Sequence, residues 1–325
     1  MPRHPQFRAV LALTAVCFFW GTTYLAIRMA LESFPPLLLV CARYVISGSL
    51  MLSAIALRGG RLPRGRELRA ACLSGALVLG AGNGCLTFAE LWVPSGVACL
   101  IITLSPFWMV GAEALLPGGE ALHPPTILGM LVGLAGTALL FAPDMRTHTF
   151  RAGLLAGFLV LQLGMAGWAF GSIYQRRQAT GAHPIVIGAV QQLAAGVTFL
   201  PLVLLFHQHS VHWSLRGAGA VLYLVVFGSI VGYSCFIFAL NRLPVAIVSV
   251  YPYVNSVVAV TLGWLFYREP FGMREAVAMA IIFAGVTLVK RYSRPLAGDH
   301  AQYVTAEARE AGPPLPTGRL SGRSR

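Results

Sequence analysis

Charge is what this sequence of 325 residues has least of: 11% of it is Asp, Glu, Lys or Arg, less than half of the roughly 25% usual in soluble domains. With 57% hydrophobic residues it cannot clothe itself in polar surface, and a soluble fold is excluded. Acidic residues number 11 and lysine occurs once, as Lys290, so the net charge of +13 comes almost wholly from arginine. A balance this basic raises the question of nucleic acid. The arginines, however, stand between apolar runs, where they report membrane topology, and no nucleic-acid partner is expected. There is no CxxC, and Cys17, Cys41, Cys72, Cys85, Cys99 and Cys235 all fall inside apolar runs. They are expected to be inert packing thiols, with no metal, disulfide framework or cofactor. The sequence also lacks HExxH, GxSG, an intramembrane Asp pair and an internal His cluster, which a membrane-embedded enzyme would need at depth.

Long apolar runs are what it has. A membrane helix needs about 20 apolar residues, and such runs are predicted near 9–31, 36–57, 70–92, 95–116, 125–142, 153–175, 184–206, 217–240, 244–266 and 272–290. The first continues too far for a signal-peptide core and is expected to remain as a helix. The 35 glycines fit close helix packing in lipid. The fold class is therefore an all-α integral membrane protein of ten transmembrane helices. After Arg294 the composition turns to Pro, Gly, Arg and Glu, and 295–325 is expected to be a disordered cytoplasmic tail. Loop charges set the orientation. With the N-terminus inside, thirteen Lys and Arg lie on the cytoplasmic side, Arg58, Arg61, Arg64, Arg66 and Arg69 among them, against six outside. Both termini are predicted to be cytoplasmic.

The sequence also repeats itself. At an offset of 150, Gly82 meets Gly232, Asn83 meets Tyr233, Phe88-Ala89 meets Phe238-Ala239, and Pro94 meets Pro244. At 148, Trp20-Gly21 meets Trp168-Ala169, Pro36 meets Pro184, and Arg43 meets Gln191. Each copy, 9–142 and 153–291, holds five segments. An odd number turns the second copy upside down relative to the first, and inverted repeats are the architecture of secondary transporters.

Trp20-Gly-Thr-Thr-Tyr24, Phe34-Pro-Pro36 with Arg43, Gly82-Asn-Gly84, Val93-Pro-Ser-Gly-Val-Ala98 with Ser105-Pro106, Trp168-Ala169, Gln191, Tyr253-Val-Asn255 with Gly263, and Glu269 follow in this order. In that order the chain resembles the EamA-like branch of the drug/metabolite transporter superfamily over about 9–291. The resemblance implies a permease of two five-helix halves in the bacterial inner membrane, usually an exporter of amino acids, other metabolites or drug-like small molecules. It implies no ATPase, and no Walker-type run occurs. A passive channel and a membrane-embedded enzyme are the alternatives. One departure is Ser256, where the family commonly has proline after the asparagine; Pro252, one turn earlier, is a substitute source of helix distortion.

A charge deep in a bilayer costs a few kcal/mol or more, so each one needs a partner or a role. Arg43 lies about seven residues into its segment, roughly 10 Å deep at 1.5 Å per residue. It either binds acceptor groups of a substrate or ties its helix to carbonyls. Asn83, Thr87 and Glu90 share one helical face. Glu90 either meets Arg43 in an ion pair that a proton can break, which would couple transport to protons, or faces water. Tyr251 and Asn255 share another face, Gln191 is the neutral counterpart of Arg43, and Tyr233 that of Asn83. Trp20, Tyr24 and Trp168 are candidates for an aromatic wall. These eleven residues are the expected substrate-binding set; each also has a plain packing reading. Gly129 and Gly133, with Ala276, Ala280 and Ala284, form small-residue stripes that predict a scaffold or a homodimer seam.

Overall fold

The computed structural model describes residues 5–93, 95–119, 122–140, 152–178, 182–206, 211–267 and 272–292. Among these residues all regular structure is helical. The helices are α1 (Pro5–Leu31), α2 (Pro36–Leu57), α3 (Arg66–Ala89), α4 (Ser95–Ile102), α5 (Ser105–Leu115), α6 (Pro124–Leu140), α7 (Ala152–Arg177), α8 (Pro184–Leu205), α9 (Leu215–Leu240), α10 (Val245–Val248), α11 (Tyr251–Tyr267) and α12 (Met273–Tyr292). Every predicted apolar run is covered. Six helices, within α1, α2, α3, α7, α8 and α9, are long and apolar enough to cross a membrane unaided. The tail 295–325, Glu120 and Glu269 lie outside the described residues.

Local chemistry sets the helix ends. Pro36 and Pro184 begin α2 and α8 at the first position, where a missing N–H leaves nothing unsatisfied. Ser214 caps α9 by accepting from the Gly217 amide at 2.9 Å. After α2 the chain turns at Gly59, whose φ of 68° is left-handed.

Two predicted runs are broken, and proline explains both. A helical proline has no N–H for the carbonyl four residues back, and its ring collides with that carbonyl. Counting four back from Pro106 gives Ile102, the last residue of α4; four back from Pro252 gives Val248, the last residue of α10. The break in the second half follows Pro252 because Ser256 cannot make it. α3 and α9 are irregular in a different way, each passing through a π-helical stretch, Ala76–Asn83 and Leu224–Val231. Such stretches are often found at functional sites.

The glycine stripe of α6 meets α12 within the chain, on the face of α12 that carries Ala278, Ile282, Gly285 and Val289, and the alanine stripe Ala276, Ala280 and Ala284 faces outward. α6 runs along α12, and a methyl on Gly285 would stand 2.5 Å from the Gly133 nitrogen and 2.7 Å from the Gly129 oxygen. The glycine side of this seam is buried inside one molecule, whereas Ala276, Ala280 and Ala284 are exposed. α2 pairs with α8 in the same intimate way, a methyl on Gly48 falling 2.5 Å from the Leu193 nitrogen. Outward faces stay apolar: Leu163 is 68% exposed and Leu204 65%, side chains that lipid would cover and water would not tolerate in such number. Between the helices lies a core of Trp20, Tyr44, Trp168, Tyr233, Phe236 and Tyr251.

Candidate functional site

The core lines a partly open cavity of about 70 Å³, room for several waters. α1, α2, α3 and α5 supply Trp20, Tyr24, Arg43, Tyr44, Asn83 and Ser105; α7, α9 and α11 supply Trp168, Gly228, Tyr233, Tyr251 and Asn255. Both copies of the repeat therefore contribute. Trp20 and Trp168 meet edge to face with ring centres 5.3 Å apart, and Tyr251 stands 5.1 Å from Trp20. Edge-on pairs bring the positive rim of one ring to the negative face of the other.

Glycine makes the wall. A methyl on Gly232 would fall 2.5 Å from Trp20 Nε1, one on Gly82 2.8 Å from Trp168 Cε3, and one on Gly228 2.8 Å from an Arg43 terminal nitrogen. Gly82 and Gly232 are repeat equivalents, so each tryptophan rests on the matching glycine of the opposite half. Trp20 Nε1 also donates to the Gly228 carbonyl at 2.9 Å. Trp168 Nε1 is buried with no partner.

Arg43 is 5% exposed. Its Nε donates to Ser229 Oγ at 2.7 Å, and the guanidinium carbon lies 5.0 Å from the centre of the Tyr44 ring. Among the described residues no carboxylate pairs with it and no acceptor meets its two terminal nitrogens. Leaving a buried charge without its partner ordinarily costs several kcal/mol, so an acceptor in the cavity would satisfy these N–H groups. Tyr44 OH and Ser105 Oγ are likewise buried without partners. Asn255, with its amide turned so that nitrogen faces acceptors, donates to the Cys17 carbonyl at 2.8 Å and the Tyr251 carbonyl at 3.0 Å; it lines the cavity while tying α11 to α1.

Of the expected site residues, Trp20, Tyr24, Arg43, Asn83, Trp168, Tyr233, Tyr251 and Asn255 come together on this wall, and Thr87, Glu90 and Gln191 do not. Thr87 bonds its own helix at the Asn83 carbonyl, 2.9 Å away. Gln191 is fully buried and its amide is saturated: Oε1 accepts from Tyr233 OH at 2.9 Å, and Nε2 donates to Ser74 Oγ at 2.7 Å and Gln175 Oε1 at 3.2 Å. Glu90 meets neither Arg43 nor water. Both its oxygens are buried without a hydrogen-bond partner, and Arg28 is the cation acting on it. Tyr44, Ser105, Gly228 and Ser229 were not anticipated. Tyr44 follows Arg43 directly and Ser105 precedes the helix-breaking proline; Gly228 and Ser229 carried no signal.

Polar ties join the halves at both ends of the bundle. At one end Ser33 Oγ and Ser214 Oγ are 2.7 Å apart, the His212 amide donates to the Ser33 carbonyl at 3.0 Å, and Arg216 lies 3.7 Å from Glu32. At the other, Arg177 donates to Glu113 at 2.9 Å and to the Pro117 carbonyl at 2.8 Å.

Apolar helices surround a largely aromatic cavity that holds one arginine, and comparison with known proteins identifies the class as a multi-pass membrane transporter. The model of the EamA-like transporter family matches twice, over residues 7–142 and 155–291, and the chain belongs to that family. It is 35% identical over 280 residues to YedA of Escherichia coli (strain K12), described as an uncharacterized inner membrane transporter, covering 86% of this chain and 89% of that protein. A protein of Streptantibioticus cattleyicolor, named "Probable terminal-alkyne amino-acid exporter", is 26% identical over 285 residues, 87% of this chain and 94% of that one. A crystal structure at 25% identity superposes with a TM-score of 0.74, covering 89% of this chain and 98% of that chain.

Proposed function

We propose that the protein is a secondary carrier that exports small molecules across the bacterial inner membrane. Its ten segments cross as two inverted five-helix halves, 9–142 and 153–291, with both termini in the cytoplasm, and the halves exchange conformations so that one cavity opens to each side in turn. The observation that carries this reading is the cavity itself, walled by repeat-equivalent Trp20 and Trp168, each seated on the equivalent glycine of the other half. The inner membrane transporter of Escherichia coli supports the membrane, and the Streptantibioticus exporter supports the direction.

Given that orientation, the Glu32, Ser33, His212, Ser214 and Arg216 cluster is the outer closure, and Glu113 with Arg177 the inner one. Each closure ties one half to the other, so opening either side requires the halves to move relative to each other. Glu90 is the candidate for proton coupling, a carboxylate whose surroundings leave it unpartnered in this state. The test is counterflow. Purified protein in liposomes loaded with an unlabelled solute should take up the labelled solute transiently above equilibrium. Equilibration without trans-stimulation, for every solute that crosses, would establish a passive channel.

A further inference from the structure

The cavity wall has a chemical sign. Its ionised group is Arg43, and no Asp or Glu lines it. The guanidinium keeps its terminal nitrogens free while its Nε is anchored on Ser229, which is the posture for a bidentate contact: two parallel N–H groups in a fixed fork match the two oxygens of a carboxylate. The buried polar atoms left without partners on the same wall are Trp168 Nε1, which can only donate, and the hydroxyls Tyr44 OH and Ser105 Oγ, which donate to an acceptor-only ligand. Among the described residues no carboxylate on the wall pairs with an ammonium, which is left to the ring faces alone. Glu90, whose charge reaches Tyr24 on this wall, is outside the lining set, with its oxygens buried and unpartnered. The rest of the surface is flat and apolar: Trp20, Trp168, Tyr233 and Tyr251 present rings from both halves, with ring separations of 5.1 Å for Trp20 to Tyr251 and 6.4 Å for Trp168 to Tyr233. Rings favour another ring by offset or edge-on contact.

We propose that the ligand of this cavity is a small organic monoanion with a planar apolar body, an aromatic carboxylate, whose carboxylate is held by Arg43 and whose ring lies among Trp20, Trp168 and Tyr251. This rests on the carrier reading and names its substrate class. A zwitterionic amino acid would leave its ammonium without a counter-charge on this wall, and an aromatic amine would set a cation beside Arg43.

Four probes of similar build separate these classes: phenylacetate (anion and ring), acetate (anion alone), phenethylamine (cation and ring) and L-phenylalanine (zwitterion). Binding to the full-length protein in detergent is measured by calorimetry at neutral pH. Phenylacetate is expected to bind at least tenfold more tightly than each of the other three. Arg43→Gln should weaken it by at least tenfold. Trp168→Phe, which removes one donor and keeps a ring, should weaken it severalfold and serves as the test should Arg43→Gln fail to fold. Equal or tighter binding of phenethylamine or phenylalanine overturns the proposal, as does phenylacetate affinity that neither variant changes. Counterflow with the same probes keeps the two readings apart. Phenylacetate that binds but is never trans-stimulated removes the carrier and leaves the ligand class standing, whereas trans-stimulated exchange of phenethylamine alone removes the ligand class and leaves the carrier.

Discussion

Gly228→Ala tests the placement of Arg43 without altering the arginine. The added methyl would stand 2.8 Å from an Arg43 terminal nitrogen and 3.1 Å from the Thr23 methyl, against the 3.5–4.0 Å at which heavy atoms pack without repulsion. The backbone of α9 cannot retreat, because the Gly228 carbonyl holds Trp20 at 2.9 Å. The guanidinium is the far end of a flexible side chain and gives way instead, by roughly 1 Å on those distances. Stability should change little: alanine is favoured over glycine inside a helix by about 0.5–1 kcal/mol, which offsets most of the crowding. Binding should change much more. A hydrogen bond to a charged group contributes about 1.5–3 kcal/mol, so misaligning one of the two arms of the fork lowers affinity about 10- to 100-fold. Calorimetry with phenylacetate, or counterflow of any solute the wild type exchanges, reads the loss; thermal melting in detergent reads the fold. Unchanged affinity in a stable Gly228→Ala protein would refute the placement of the terminal nitrogens, and a collapse in stability would refute the claim that the side chain yields.

Gly285→Ala makes the opposite comparison, because its methyl meets the backbone of α6 at Gly133 and Gly129; overpacking of about 1–3 kcal/mol should lower the melting temperature while the folded fraction keeps its ligand affinity. A cysteine placed at Gly60, in the exposed loop after α2, should resist an impermeant thiol reagent in intact cells and react in inverted vesicles. Labelling in intact cells above the background of the native cysteines reverses the proposed orientation. Glu90→Gln keeps the shape of a carboxylate that has no partner and removes its charge. It should abolish transport driven by a pH gradient and spare substrate exchange, and undiminished pH-driven transport takes Glu90 out of the coupling.

The helices were legible because burial in lipid demands long apolar runs, and even the two breaks could be read from Pro106 and Pro252, since a missing amide acts at a fixed distance along the chain. The cavity was legible where the residue type is expensive to bury: an arginine or a tryptophan in mid-helix must be accounted for. It was illegible where the contribution is an absence. Gly228 matters because it has no side chain, and one glycine among 35 carries no mark of which neighbour it admits. Equivalence within the repeat located Gln191 but not its use: the position opposite Arg43 is kept, while Ser74, Gln175 and Tyr233 have taken up its amide. Helical spacing put Asn83, Thr87 and Glu90 on one face, but a face is as wide as several neighbours. Asn83 reaches the cavity, Thr87 turns back to its own backbone, and Glu90 lies nearer the influence of Arg28 than of Arg43.

The two tryptophans show how a symmetric sequence can hold an asymmetric state. Trp20 and Trp168 occupy equivalent positions, and each rests on the glycine of the opposite half that matches its partner's, Gly232 and Gly82. The contacts use different edges of the indole, the nitrogen edge of Trp20 and the Cε3 edge of Trp168. They also differ chemically, since Trp20 Nε1 is bonded to a carbonyl in the π-helical stretch of α9 and Trp168 Nε1 is buried and unbonded. Both α3 and α9 pass through a π-helical stretch, Ala76–Asn83 and Leu224–Val231, so the two halves share this backbone feature. Under the proposed alternating access the halves would also trade this difference, with Trp168 bonded when Trp20 is free. An anionic ligand that accepts from Trp168 Nε1 satisfies the orphan donor in the state described here, and so favours this state over one in which that donor is already engaged. On that argument the ligand's differential contact with the two states runs through an indole nitrogen as well as through the arginine.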